Sequence, residues 1–293
     1  MEKIKNFKFG GGVLRNPEAA KKAVQIIKKQ KPKFVVVSAF GKSTNALEKI
    51  YLGLKEENLE KVKKAKEEYF SINLPFFENC LNNDFLEKQD IFLEGIISGK
   101  KNFFSDFLLK DAILSLGEKA AVFAFWGYLR KITLTQICED LIVAESFRGL
   151  SFVNKKDTQA RLKQKIQGSS GVTFIVPGFI AVNQNGFNVT LGREGSDYTA
   201  GIIANSLMAL NPAYFVESVT LWKNVPGIMR DFGTKEESLI TKISYEEVKN
   251  ALKKGGFASG LIHEKTIQEV EEFNIPLLIK NFNAPEEDGT LIC

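Results

Sequence analysis

Polar and apolar positions alternate from Ile4 to Phe9, and the run ends in Gly10, Gly11 and Gly12, which predicts a strand feeding a tight turn. Asn16, Pro17 and the recurrence of Ala20, Val24 and Ile27 on one face predict a helix capped by Asn16, with Pro17 at its first position. Phe34 to Ala39 (FVVVSA) is apolar almost without interruption, the pattern of a strand covered on both faces of a parallel sheet. Together these make a βαβ opening.

From Lys55 to Asp111 the pattern turns to charged, amphipathic helix and predicts a helical insertion over roughly residues 55–115. Its most polar part, EENLEKVKKAKEEYF, reads as a solvated helix face rather than a partner site. Gly117 and Glu118 are then expected to open a separate apolar helix, Lys119 to Leu129. Strands are expected at Asp140 to Ala144, Val172 to Val176 and Phe179 to Val182, with Asn183 to Gly186 as a hairpin turn into Phe187 to Leu191. Ile202, Ile203, Leu207 and Leu210 recur at helical spacing after Ser196, which is placed as the helix N-cap. A strand from Tyr214 to Trp222, helices at Tyr245 to Lys254 and about Lys265 to Phe273, and a strand from Pro276 to Phe282 complete the chain. Ser244 and Glu247 have capping-box spacing. The alternation predicts an α/β fold with a mainly parallel central sheet and the helical insertion. We expect one domain over residues 1–293 in two lobes, about 1–195 and about 196–293, without a flexible linker.

The 293 residues suffice for a large core, and 44% apolar content is ordinary for a soluble globular protein. Forty basic and thirty-five acidic residues leave a net charge of +5, with the lysines scattered. Nucleic-acid binding is therefore not expected, while a mildly basic surface also suits an anionic small molecule. Cys80, Cys138 and Cys293 form no CxxC pair, and His263 is the only histidine, so no metal site is expected. His263, near a helix start, reads as structural; a Ser/His/Asp arrangement would have to use it, and no GxSxG elbow is present. The longest apolar runs, Ala120 to Leu129 and Val172 to Val182, are short for a bilayer span, and the N-terminus has no signal-peptide core. A cytoplasmic protein without a membrane partner is the expectation.

Three segments carry groups suited to chemistry. LGREGSDYTA places Arg193, Ser196 and Asp197 at a helix start, which fits a capped helix with a surface ion pair or a site for a carboxylate or phosphate. Lys8, beside Gly10 and Gly11, fits plain turn chemistry or a phosphate cradle; neither a Walker loop nor a GxGxxG fingerprint is present. SAFGKSTNALEKI follows a buried strand, at the carboxyl end where open α/β sheets bind ligands, and offers Ser38, Ser43, Thr44 and Asn45. Glu118 is placed at a helix start, where the dipole would stabilise its carboxylate.

With KFGG, SAFGKSTNAL, the Gly117–Glu118 pair, LGREGSDYTA, LWKNVPGI, ISYEE and IPLLIKNF in this order, the chain resembles the catalytic domain of aspartate kinases, in the amino-acid kinase superfamily. The resemblance covers nearly the whole chain. It implies a three-layer α/β/α sandwich of the amino-acid kinase type and Mg²⁺-assisted phosphoryl transfer from ATP to the β-carboxylate of L-aspartate. The product would be 4-phospho-L-aspartate, on the route to lysine, threonine and methionine. By the resemblance, Lys8, Gly10 and Gly11 would hold the transferring phosphate, and Asp197 would orient Lys8 or the substrate ammonium. Ser38, Thr44 and Ser196 would line the acceptor site, Glu118 would bind the ammonium and Arg193 the α-carboxylate. Trp222, Lys223, Asn224, Ile228 and Asp231 would belong to the nucleotide site. A homodimer is suggested by the resemblance only, and the ACT regulatory modules of many relatives are not expected.

The departures from the family cluster on the donor side. Gly12 and Val13 stand where the family has hydroxyl residues, Asn224 where it has an acid, and ASGLIHEKT where it has GAKVIHPKT. Two further readings therefore stay open: a kinase of a related amino acid or carboxylate, and a catalytically impaired homologue that binds an amino acid.

Overall fold

The computed structural model describes residues 2–78, 84–99, 105–147, 149–210, 214–230, 237–254 and 261–293. At its centre β1 (Glu2–Phe9) lies between β2 (Phe34–Val37) and β9 (Tyr214–Lys223) in an eight-stranded sheet. Beyond β2 come β6 (Thr173–Pro177) and the edge strand β3 (Thr135–Ile137). Beyond β9 come β13 (Leu277–Asn281), β14 (Thr290–Ile292) and β12 (Lys242–Ile243). Every pairing in this sheet is parallel except that of β13 with β14. Three hairpins lie outside it: β4 (Ala144–Phe147) with β5 (Leu150–Val153), β7 (Ile180–Val182) with β8 (Asn188–Thr190), and β10 (Ile228–Arg230) with β11 (Ser238–Ile240).

Helices cover both faces. On one, α1 (Pro17–Gln30) and α5 (Asp106–Leu129) bury Phe7, Phe9, Val35 and Val37; on the other, α6 (Lys155–Ile166), α7 (Gly195–Leu210), α8 (Tyr245–Lys253) and α9 (Glu264–Glu271) bury Ile4, Phe34 and Val36. Neighbouring residues of one strand thus enter opposite cores, as a doubly covered parallel strand requires. A third apolar cluster joins α2 (Ser43–Lys55), α3 (Leu59–Phe77), α4 (Asp84–Ile97) and the first half of α5.

The capping signals at Asn16 and at Ser244 with Glu247 act as expected. Asn16 accepts from the Ala19 amide with Pro17 at the first helical position, and Ser244 and Glu247 form the reciprocal capping box. His263 caps α9 by accepting from the Lys265 amide through Nδ1.

Two expectations are corrected. Gly117 and Glu118 do not open a helix; they lie in the middle of α5, which is one continuous helix. By length and composition α5 could cross a membrane, but it is a core helix, mostly buried between the other helices and the sheet. The apolar run at Leu141 to Val143 is buried without forming the expected strand; only Val143 bridges to Val182, and β4 begins at Ala144. Helix α6 is absent from the pattern reading because its apolar stripe is only Thr158, Leu162 and Ile166 in an otherwise polar sequence.

Candidate active site

Strand alternation sends Phe7 and Phe9 to the α1 side and Lys8 to the α7 side. There Lys8 Nζ lies 2.6 Å from Oδ1 of Asp197, which is fully buried in the first turn of α7. Lys223, the last residue of β9, donates to the other carboxylate oxygen at 2.7 Å. Burial opposes ionisation of Asp197, but the ammonium groups of Lys8 and Lys223 outweigh it and hold the carboxyl below its ordinary range. Burial prevails at Lys8, whose pKa is lowered against the attraction of Asp197 and with the help of the Lys223 charge. One carboxylate shared by two ammonium groups leaves surplus positive charge, the condition for receiving an oxyanion.

Above this pair opens a cavity of about 1190 Å³, lined among others by Lys8, Ser38, Thr44, Glu118, Arg193 and Ser196. Its walls come from the loops at the carboxyl ends of β1 and β2, from α5 and from the start of α7. Close backbone approach builds it: a Cβ on Gly11 would sit 2.4 Å from the Ala39 carbonyl oxygen, and one on Gly117 would sit 2.9 Å from Ala39 Cβ. The second approach brings Glu118 to the Ala39 amide, which donates to Oε1 at 3.4 Å. Oε2 of Glu118 is buried with no hydrogen-bond partner. Burial lifts this carboxyl to about 8, against the pull of the Ala39 amide and of Lys8. A desolvated carboxyl with one oxygen unmatched is suited to a cationic guest. Arg193 stands exposed at the rim, after Gly192 in the left-handed region.

Sequence comparison carries this geometry to a family. The model of the amino acid kinase family matches residues 7–281. The chain belongs to the amino acid kinase family. It is 30% identical, over 99% of its length, to the bifunctional aspartokinase/homoserine dehydrogenase of Buchnera aphidicola subsp. Acyrthosiphon pisum, and spans 36% of that protein. It is 25% identical over its full length to lysine-sensitive aspartokinase 3 of Escherichia coli, and spans 65% of that protein. The crystal structure of E. coli aspartokinase III in complex with aspartate and ADP superposes with a TM-score of 0.85 at 22% identity, covering 99% of this chain and 64% of that one, which shows the shared fold.

Within this chain several residues stand elsewhere than the sequence placed them. Ser196 is not the N-cap of α7 but lies inside its first turn, where the Asp197 and Tyr198 amides already donate to the Glu194 carbonyl. Glu118 gains no helix-start stabilisation, being mid-helix. The side chain of Trp222 is fully buried and stacks parallel on Phe9 at 6.0 Å. Ile228 is equally buried, in the core beneath α7. Asn224 is exposed and donates to the Gly12 carbonyl at 2.7 Å, tying the end of β9 to the glycine turn. Asp231 lies outside the described residues.

The cavity also has walls that the motifs did not single out. Asp111 lies two helical turns before Glu118 on the same face of α5, lines the cavity, and accepts from the Thr190 hydroxyl at 2.7 Å. That spacing was the available signal, obscured by the expectation of a helix boundary at Gly117. Lys223 is expected at the nucleotide, and no local pattern gives its contact with Asp197 in α7.

Proposed function

We propose that this amino acid kinase transfers the γ-phosphoryl group of ATP to the β-carboxylate of L-aspartate. The observation that carries the proposal is Lys8, held by the buried Asp197 that Lys223 also reaches, lining a cavity that Glu118 and Arg193 line as well. Arg193 would clamp the α-carboxylate, Glu118 would take the α-ammonium through its unmatched oxygen, and Ser38, Thr44 and Ser196 would bound the acceptor. The acceptor carboxylate is already ionised at neutral pH, so no general base is needed. One of its oxygens forms the new bond to the γ-phosphorus as the bond from that phosphorus to the β,γ-bridging oxygen breaks, and ADP leaves. The protein's task is to bring two anions into line, and Lys8 supplies positive charge where they meet, held in place by Asp197.

The glycine turn fits a phosphate. A Cβ on Gly10 would lie 3.0 Å from Lys8 Nζ and crowd the ammonium, so glycine there leaves it accessible. Among the described residues no group of three or more acidic, cysteine or histidine side chains could cage a metal. Mg²⁺ would therefore come as the nucleotide complex, neutralising phosphate charge. Lys223 and Asn224, at the end of β9, would face the donor side.

The acceptor is tested by ADP release with Mg-ATP across a panel of amino acids and carboxylates. Aspartate should give the highest kcat/KM, and a clearly better acceptor would replace this assignment by the related-acceptor reading. Calorimetric aspartate binding without ADP release would mark an impaired homologue.

A further inference from the structure

A second cavity, of about 380 Å³, opens at the amino-terminal ends of β1, β2 and β6, away from the carboxyl-end loops that hold the catalytic candidates. Lys3, Lys28, Lys31 and Lys33 line it together with Thr133 and Thr173, and no acidic residue is among its described lining. We propose that it is a binding site for a small multivalent phosphate compound.

The lysines come from separate elements: Lys3 from β1, Lys28 from the last turn of α1, and Lys31 and Lys33 from the link into β2. Nearby lysines are used otherwise: Lys29 pairs with Glu286 and Lys5 with Glu217, while Lys3, Lys28 and Lys31 have no carboxylate partner among the described residues. The negative end of the α1 dipole accounts for Lys28 and Lys31 at the end of that helix but not for Lys3 on β1. Lys33 is only 9% exposed, and its ammonium is fixed by donation to the Ser169 carbonyl at 2.5 Å.

Lys31 caps α1 in the left-handed region at φ 50°, a position that favours glycine or asparagine and costs a lysine about 1 kcal/mol. The cavity's volume suits a di- or triphosphate or a small phosphorylated metabolite. Four lysines lining one cavity favour a multivalent anion over chloride.

The test is titration calorimetry with sodium tripolyphosphate at constant ionic strength, with a nucleoside triphosphate and a phosphorylated sugar as further arms to distinguish sources. The wild-type protein should show a binding event that Lys28→Ala/Lys31→Gly weakens at least tenfold and that Lys8→Ala retains. Lys31→Gly keeps the left-handed backbone at no steric cost, so thermal melting should report an intact fold. Equal affinity in the double variant, loss of all binding in Lys8→Ala, or no wild-type binding at millimolar tripolyphosphate would each overturn the proposal.

Discussion

Lys8 and Asp197 meet at 2.6 Å at the buried junction of β1 and α7, and Lys223 reaches the same carboxylate from β9. Removing the charge in Asp197→Asn leaves two ammonium groups facing each other without a counter-charge. Breaking such a buried cluster costs about 3–5 kcal/mol of stability, and catalysis should fall by about 100-fold or more. Lys223→Met should be milder in both respects, because Lys8 still pairs with Asp197. Denaturant unfolding and ADP release measure the two effects, and a harmless Asp197→Asn would remove the cluster from the mechanism.

Glu118 makes both stability and acceptor binding depend on pH. Its carboxyl titrates near 8 in the folded protein instead of the ordinary 4.5, so between these values the folded state binds more protons than the unfolded state. Stability then declines as pH rises through that window, by at most roughly 1.4 kcal/mol per unit. Glu118→Gln should flatten the decline, raising the melting temperature relative to wild type more at pH 8 than at pH 5. A guest ammonium beside Glu118 favours its ionised form, so acceptor binding should release a proton and tighten from pH 6 to 8. Calorimetry in buffers of different ionisation enthalpy reads that proton; no release would separate Glu118 from the ammonium.

Asn224→Asp would set a carboxylate against the Gly12 carbonyl that the amide now serves. The lost hydrogen bond and the repulsion should cost about 1–2 kcal/mol, felt at the glycine turn. Steady-state kinetics should show KM for ATP rising more than KM for the acceptor. The reverse split would detach Asn224 from the donor side.

Gly117→Ala would place a methyl group 2.9 Å from Ala39 Cβ and push α5 away from the loop after β2. Overpacking of this kind costs about 1–3 kcal/mol, and it should loosen the Ala39 amide contact to Glu118. Ala39→Gly in the same chain should restore both the melting temperature and the acceptor KM. Failure of that rescue would show that the close approach is not what glycine serves here.

The central strands and the capped helices were legible in the sequence because local chemistry decides them: FVVVSA needs cover on two faces, and Asn16–Pro17 or Ser244–Glu247 can start a helix unaided. The cavity-lining stretches were legible as motifs at strand ends and helix starts. What escaped depends on tertiary contact. Gly117 reads as a helix break until Ala39 is seen pressing on it, and a helix starting there separates Asp111 from the face it shares with Glu118. Trp222 stands in a motif, but strand alternation turns its ring into the core against Phe9. The contact between Lys223 and Asp197 joins residues from β9 and α7, and no periodicity records it.

The most direct test of the central claim traps the product. Purified protein incubated with Mg-ATP, L-aspartate and hydroxylamine should form aspartyl hydroxamate, because hydroxylamine intercepts an acyl phosphate, and Lys8→Ala should form essentially none while still binding aspartate. Absence of hydroxamate together with absence of aspartate-dependent ADP release would contradict the account.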